Sequence, residues 1–440
     1  MENNTLQNEI IVQDENNGVL TSMHKELDSI IFFNENWCIY KVPEFILKGH
    51  EYFYEPLVMS IGPVFYKNDP KLEPMQKIKW LFLKGFLRYP KNGCTSVNPY
   101  INFVREKEVE IRGNYQQQIR LSSDEFVEMI VLDAAFLIYI IMLGSQDYFK
   151  VPLLWKQLPP QFNYSCYDVS RLENQIPYFV LKGIFDIAFG HIYLPTTLIH
   201  ATLTFIGGSH FGILGCKAIK SIIEGNKITD ESDIAHLLDL QWMCCRLSLS
   251  TPLRNQPITN PTIVSNTAKQ LYDAGVTFVA GESENPLDVT FANGKLTISK
   301  LNIYDNIESQ LRNLVCFEQC HYYEDTYFID YIVFLDQLID TVEDVQVLVK
   351  NNIIRNQLGS DDDVVKLFNN IGKNVIASCK NYYYDVSEDL NRYASTRRHK
   401  WMAILRSKYF NHPWTILSVI AAFMLFVLTL LQTIAAYIYK

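Results

Sequence analysis

Apolar residues recur at three- and four-residue steps along most of this chain. The steps are clearest in "YFIDYIVFLDQLIDTVEDVQVLVKNNII", where Phe328, Tyr331, Ile332, Leu335, Leu338, Ile339, Val342, Val345 and Val349 fall on one face. That spacing predicts a single long helix over 327–354. The same period predicts helices in "MQKIKWLFLKGFL", "SSDEFVEMIVLDAAFLIYIIML", "VSRLENQIPYFVLKGIFDIAF" (broken at Pro177) and "DESDIAHLLDLQWMCCRLSL". "NTAKQLYDAGVTF" reads as a helix ending at Gly275. Ser122 with Glu125 has the form of a capping box, and Ser360 can cap a helix whose first turn holds Asp361, Asp362 and Asp363. The period changes to two in "LDVTFANGKLTISKL". There Asn293-Gly294 fits a two-residue turn, pairing Phe291 with Leu296 and Val289 with Ile298 on one face of a β-hairpin. By contrast, "CIYKVPEFILKGHEYFYEPLVMSIGP" is punctuated by Pro43, Pro56 and Pro63 and reads as extended. The expected fold class is mainly α: a large helical domain with a small β-hairpin, followed by one C-terminal transmembrane helix.

That last helix is read from "WTILSVIAAFMLFVLTLLQTIAAYIYK". From Trp414 to Ile438 no residue is charged, enough to cross a hydrocarbon core of roughly 30 Å. Trp414 opens the span and Tyr437 and Tyr439 close it, as amphipathic rings do at membrane interfaces. A core helix of a soluble protein is the competing reading, but such helices seldom stay apolar on every face for this length. Arg397, Arg398, Lys400, Arg406 and Lys408 precede the span and only Lys440 follows it, so the positive-inside rule expects the large N-terminal domain in the cytoplasm. The basic stretch also suits an anionic lipid surface. Two other apolar runs, Met129 to Leu143 and Ile192 to Gly208, are interrupted by Asp133 or by Pro195 and His200 and read as buried core elements. The boundaries expected are a flexible polar arm at 1–36, a helical domain at 37–395, a basic juxtamembrane helix at 396–412 and the span at 413–439.

Composition narrows the chemistry. The formal charge of −9 argues against a nucleic-acid partner, leaving the lipid bilayer and other proteins. Nine dispersed cysteines, an odd number, suit free thiols in a reducing compartment, and the polar, acidic N-terminus shows no signal peptide. Cys316, Cys320 and His321 in "CFEQCH" could supply part of a metal site, yet no second ligand pair stands at zinc-site spacing; packing explains them better. "GGSHFG" lacks the Lys-Ser/Thr of a phosphate loop, the three aspartates lack calcium-loop spacing, and His191, His200 and His210 do not form a zinc-protease motif. No catalytic residue, cofactor or metal is assigned. Asn3 and Asn163 are sequons that matter only if the domain faces a lumen.

Several stretches together resemble one plant family, the domain of unknown function 247, also called uncharacterised protein family 0481. They are "IYKVPEFI", "YEPLVMSIGP", "LENQIPYFVL", "AKQLYDAGVTF", "LRNLVCFEQCH", "FLDQLIDTVEDV", "NQLGSDDDVVKLFN" and "HPWTILSVIAAFMLFVLTLLQT", in family order from about residue 38 onward. Two departures stand out. Val64, Phe65 and Tyr66 replace the paired histidines that commonly follow "SIGP", and Tyr139 stands where the family has an acid after its "DGCF", here Asp133, Ala134, Ala135 and Phe136. The resemblance implies a largely helical, single-pass plant membrane protein without an established activity; some grass members are linked to pollen–stigma self-incompatibility.

Two functions follow as expectations: a membrane-anchored interaction or signalling module, or an enzyme with an unrecognised site. Asp133, Glu173, Asn174 and Glu318 interrupt apolar segments and would be the polar groups of that site. The structural alternative is that they satisfy buried backbone.

Overall fold

The computed structural model describes residues 21–25, 36–88, 96–144, 158–190, 196–208, 213, 216–228, 230–249, 263–373, 375–376, 381–409 and 413–438. The chain divides into two units, Met1–Trp37 and Cys38–Lys440. Of the first unit, most lies outside the described residues; 21–25 are helical. The remainder concerns the second.

Its first half is a bundle of α1 (Glu73–Arg88), α2 (Asn98–Glu106), α3 (Ser123–Gly144), α4 (Tyr178–Phe189) and α5 (Leu198–Gly208), with α3 packed against the other four. Because α3 is enclosed on every side, its apolar residues need no stripe, and from Phe126 to Met142 all but Glu128 are buried. Phe82 of α1 meets Phe136 edge-on at 5.0 Å, and meets Tyr139 at 5.2 Å in the same manner. Tyr139, the departure noted above, is thus a packing residue lying against Gly85. Ser122 caps α3 by accepting the Glu125 N–H at 3.3 Å. The Glu125 carboxylate, however, accepts from the Ser122 hydroxyl and from Lys67.

After α6 (Cys216–Glu224) and α7 (Leu237–Leu247), the second half begins with α8 (Ala268–Asp273), which stops two residues before Gly275, at φ +97. Strands β1 (Thr277–Gly281), β2 (Val289–Ala292) and β3 (Lys295–Ser299) form a sheet in the order β1-β3-β2. β2 runs antiparallel to β3, with Val289 opposite Ile298 and Phe291 opposite Leu296. Asn293 and Gly294 both take positive φ between them, as a tight two-residue turn requires. β1 adds in parallel on the other edge of β3, so the sheet is larger than the hairpin alone. β4 (Leu301–Ile303) belongs to a separate, two-stranded sheet.

Next come α9 (Ile307–His321), α10 (Tyr327–Leu338) and α11 (Val342–Lys350), then β5 (Ile354–Asn356), parallel to β4. The single helix expected over 327–354 is therefore two helices and a strand. Its period survives the break, but Thr341 and Asp344 form a capping box that restarts the helix. A second correction concerns 169–177. The residues before Pro177 are turns, not helix, and every one is buried. A third is that "DESDIAHLLDLQWMCCRLSL" has only a 3-10 turn at Glu231–Asp233 before the α-helix begins at Leu237, capped by His236. α12 (Asp361–Ile371) is capped by Ser360, as its sequence suggested. α13 (Tyr384–Ser395), α14 (Arg397–Tyr409) and α15 (Pro413–Ile438) end the fold.

Two described helices are long and apolar enough to cross a membrane, Ser123–Gly144 and Leu417–Ile438. They share a mean hydropathy of 2.4, yet the first is 89% buried within the protein and the second 0%.

Candidate functional site

The extended segment from Val42 to Gly62 runs through the domain with almost no secondary structure, only helical turns at Glu44–Leu47 and Glu51–Tyr54. Buried backbone in such a segment must find side-chain partners, and the residues that interrupt the apolar pattern supply them. Asp168 accepts the N–H groups of Leu57, Val58 and Met59 at 2.6, 2.9 and 2.9 Å. Asn174 accepts the Ile61 N–H at 2.6 Å and donates to the Met59 carbonyl at 3.1 Å. Asp133 accepts the Gly62 N–H at 2.8 Å, and Glu173 accepts that of Val42 at 2.6 Å. The Lys79 ammonium, itself buried, donates to both the Ser60 carbonyl and Asp133. From the far side Asn313 donates to the Phe53 carbonyl at 2.8 Å and accepts from Leu172 N–H at 2.8 Å.

Two charge pairs hold this clasp together. Lys79 pairs with Asp133, and Arg171 with Asp168 at 3.2 Å, all four nearly devoid of solvent. Burial raises the pKa of both aspartates and lowers those of Lys79 and Arg171, against the attraction of their partners. Burial likewise raises that of Glu173. Gly62 is fixed by two constraints: its φ is +72, and a Cβ there would stand 2.4 Å from the Gln175 carbonyl oxygen.

Glu318 lies in a different cluster. Its carboxylate accepts from Trp242 Nε1 at 2.8 Å and from the N–H groups of Phe328 and Ile329 at 3.1 and 2.8 Å, covering the start of α10. Burial pushes its pKa up to about 8, despite these donors. Trp242 stacks on Tyr322 at 3.6 Å, and the Tyr322 hydroxyl donates to Asp239 at 2.8 Å. Burial raises Asp239 to about 6 and drops His236 to about 3. The His236 ring is therefore neutral. Its Nδ1 accepts the Asp239 N–H at 3.1 Å, so its proton sits on Nε2, facing the Cys38 carbonyl at 2.9 Å.

The structure thus gathers three of the four sequence candidates, Asp133, Glu173 and Asn174, around one segment and places Glu318 elsewhere. Sequence reasoning missed Lys79, Asp168, Arg171, Trp242, His236 and Asp239. For Asp168 and Arg171 the available signal was an acid and a base three residues apart, the spacing of an ion pair. Cys316 and Cys320 lie one turn apart on α9, and their interaction raises the pKa of the first and lowers that of the second. His321 instead meets the Tyr40 hydroxyl at 2.9 Å. Among the described residues no group of three or more His, Cys, Asp and Glu is placed to hold a metal ion. Asp361 contacts Asn356, while Asp362 and Asp363 pair with Lys366. His200 is exposed on α5. Asn3, His191, His210 and Tyr439 lie outside the described residues, as do the side chains of Asn163, Arg406, Lys408 and Trp414. Arg397, Arg398, Lys400 and Tyr437 are exposed.

A cavity of about 570 Å³ opens between α8, α13 and α14. Its polar lining includes Gln270, Asp273, Asn391 and Lys400, and none of the four candidate groups reaches it.

A UPF0481 protein of Arabidopsis thaliana is 28% identical over 419 residues, covering 91% of this chain and 86% of the relative. A putative UPF0481 protein of the same plant is 24% identical over 497 residues, covering 94% and 93%. No solved structure matches the chain. The family model for DUF247, a plant protein of unknown function, matches residues 39–428, spanning the threaded segment, both polar clusters and most of α15, and the chain belongs to that family.

Proposed function

We propose that the chain is a single-pass membrane protein, anchored through α15, whose helical domain is an interaction or signalling module on the cytoplasmic side. The observation that carries this reading is the contrast between two equally apolar helices. α3 is covered by its own fold, while Leu417–Ile438 has mean hydropathy 2.4 and 0% burial. Left in water, a helix exposing Leu417, Phe423, Leu425, Phe426, Leu428 and Leu431 would present a continuous apolar surface well beyond what soluble monomers tolerate. A hydrocarbon core accommodates it. The exposed cations Arg397, Arg398 and Lys400 before the span support the cytoplasmic orientation.

The interaction reading is supported over the enzymatic one by the clasp. The carboxylates of Asp133, Glu173 and Glu318 and the amide oxygen of Asn174 each accept backbone N–H groups, so all four serve the chain's own backbone. The test is protease treatment of sealed microsomes carrying the full chain. Digestion of the large domain, with α15 retained in the carbonate-washed membrane, is the expected result. Full protection would reverse the orientation, and release by carbonate would refute the anchor.

A further inference from the structure

The helix before the span is apolar on two sides. One side is docked: the Met402 sulfur lies 3.1 Å from where a Cβ on Gly275 would stand, and the His399 ring packs on Tyr393 at 3.8 Å. On the other side, Trp401 and Leu405 are 59 and 43% exposed, with Ile404, 45% exposed, at their edge, where it also lines the cavity between α8, α13 and α14. Their spacing of i, i+3 and i+4 puts them on one face of α14. Arg397 and Arg398, also exposed, precede Trp401 by four and three residues and so continue that face toward the N-terminus. A helix on the water-facing surface of a domain would carry polar residues there instead. Arg followed by Trp, Ile and Leu on one open face is the composition of a helix lying in a headgroup layer: cations meet anionic lipid, the indole sits at the interface, and aliphatic side chains reach the acyl boundary.

Continuity with the span identifies what covers the face. α14 ends at Tyr409 and α15 begins at Pro413. Four Cα steps bridge at most roughly 14 Å, and Leu405 is about 6 Å further back along the helix. A face this near the start of an inserted helix must share its space with lipid headgroups.

We propose that the Arg397, Arg398, Trp401, Ile404 and Leu405 face of α14 is a membrane-docking surface that lies in the anionic headgroup layer entered by α15. It fixes the helical domain against the bilayer, so the domain does not swing on a free tether. The inference rests on the anchored reading above and goes beyond it, because a bare span would hold the domain equally well without this contact.

The experiment uses the full chain reconstituted in vesicles of phosphatidylcholine and phosphatidylserine, with the photocrosslinker p-benzoylphenylalanine placed in turn at Leu405, Phe423 and Val109. Phe423 lies in α15, and Val109 is 86% exposed on the domain. The expected result is lipid adduct at Phe423 and Leu405 and none at Val109. Adduct at Phe423 without any at Leu405 overturns the docking surface and leaves the anchor standing. A protein adduct at Leu405 in place of lipid also overturns it, as does equal labelling of Leu405 and Val109. Absence of lipid adduct at Phe423 overturns the anchor and the docking surface together.

Discussion

Replacing Glu318 with Gln should tilt the pH dependence of stability. The Glu318 pKa rises from 4.5 to about 8 in the folded protein, chiefly through burial. At about 1.4 kcal/mol per tenfold change in proton affinity, this sets a ceiling of about 5 kcal/mol on the cost of ionising the folded state. The sign follows from linkage. A raised acid pKa means the folded state binds more protons than the unfolded one between pH 4.5 and about 8. The stability it contributes is complete below that window, falls as pH rises through it, and levels off above. A glutamine keeps one oxygen for Trp242 and Phe328 but turns an amide nitrogen toward the Ile329 N–H. Losing that bond costs about 1–2 kcal/mol at every pH. The variant is therefore expected to be less stable than the parent at pH 5 and more stable at pH 9. Asp239, raised to about 6, is common to both proteins and cancels in the difference, whereas Asp330, raised to about 7, also raises Glu318 and so adds to the difference in the same direction. Urea unfolding of the full chain in detergent, followed by far-ultraviolet circular dichroism from pH 5 to 9, measures it. Parallel curves would refute the argument, showing that the three donors and the helix start offset burial and that Glu318 ionises in the ordinary range.

Lys79→Met should lower stability by about 3–5 kcal/mol, because it strands the buried Asp133 carboxylate. The double variant Lys79→Met with Asp133→Leu should regain part of that loss while still lacking an acceptor for the Gly62 N–H; urea midpoints of the three proteins decide it. Gly62→Ala should cost at least about 2 kcal/mol, since a left-handed conformation alone costs roughly 1–2 and the new methyl meets the Gln175 carbonyl oxygen. Gly49→Ala, at φ +80 with nothing within 4 Å, isolates the conformational part; equal melting shifts for the two would refute the steric account.

Local order was legible where a local pattern fixes it. Ser360 and the three aspartates announce α12, and Asn293-Gly294 sets the register of β2 on β3. The break between α10 and α11 was harder to see, because the capping box at Thr341 and Asp344 interrupts the backbone without interrupting the apolar period. The clasp was hidden for a deeper reason. Arg171, Glu173, Asn174 and Gln175 form a mostly polar run that looks like a solvated surface. In the fold they are buried, and Arg171, Glu173 and Asn174 each reach a partner more than a hundred residues away. Sequence spacing records which residues are polar, but their partners depend on chain topology. Lys79 illustrates the same limit: on an amphipathic helix it looks solvated, and only the approach of α3 encloses it.

The two apolar helices carry the last step. By length and hydropathy α3 and Leu417–Ile438 are interchangeable. What separates them is the treatment of polar groups. α3 carries Asp133 at its middle, a charge that needs Lys79 from α1 and the backbone of Gly62, and so needs other parts of the chain folded around it. α15 carries no charge. Its Thr429 and Thr433 hydroxyls donate to carbonyls of the same helix, those of Leu425 and Thr429, both at 2.7 Å. Hydroxyls bonded within their own helix ask nothing of its neighbours, which is one condition for lying in hydrocarbon. At 26 residues α15 extends about 39 Å, enough to cross a core of roughly 30 Å with nearly a turn to spare at each end. Asp133 therefore marks α3 as a helix that must be enclosed by protein, whereas α15 has no such charge and, under the anchored reading proposed above, meets lipid instead.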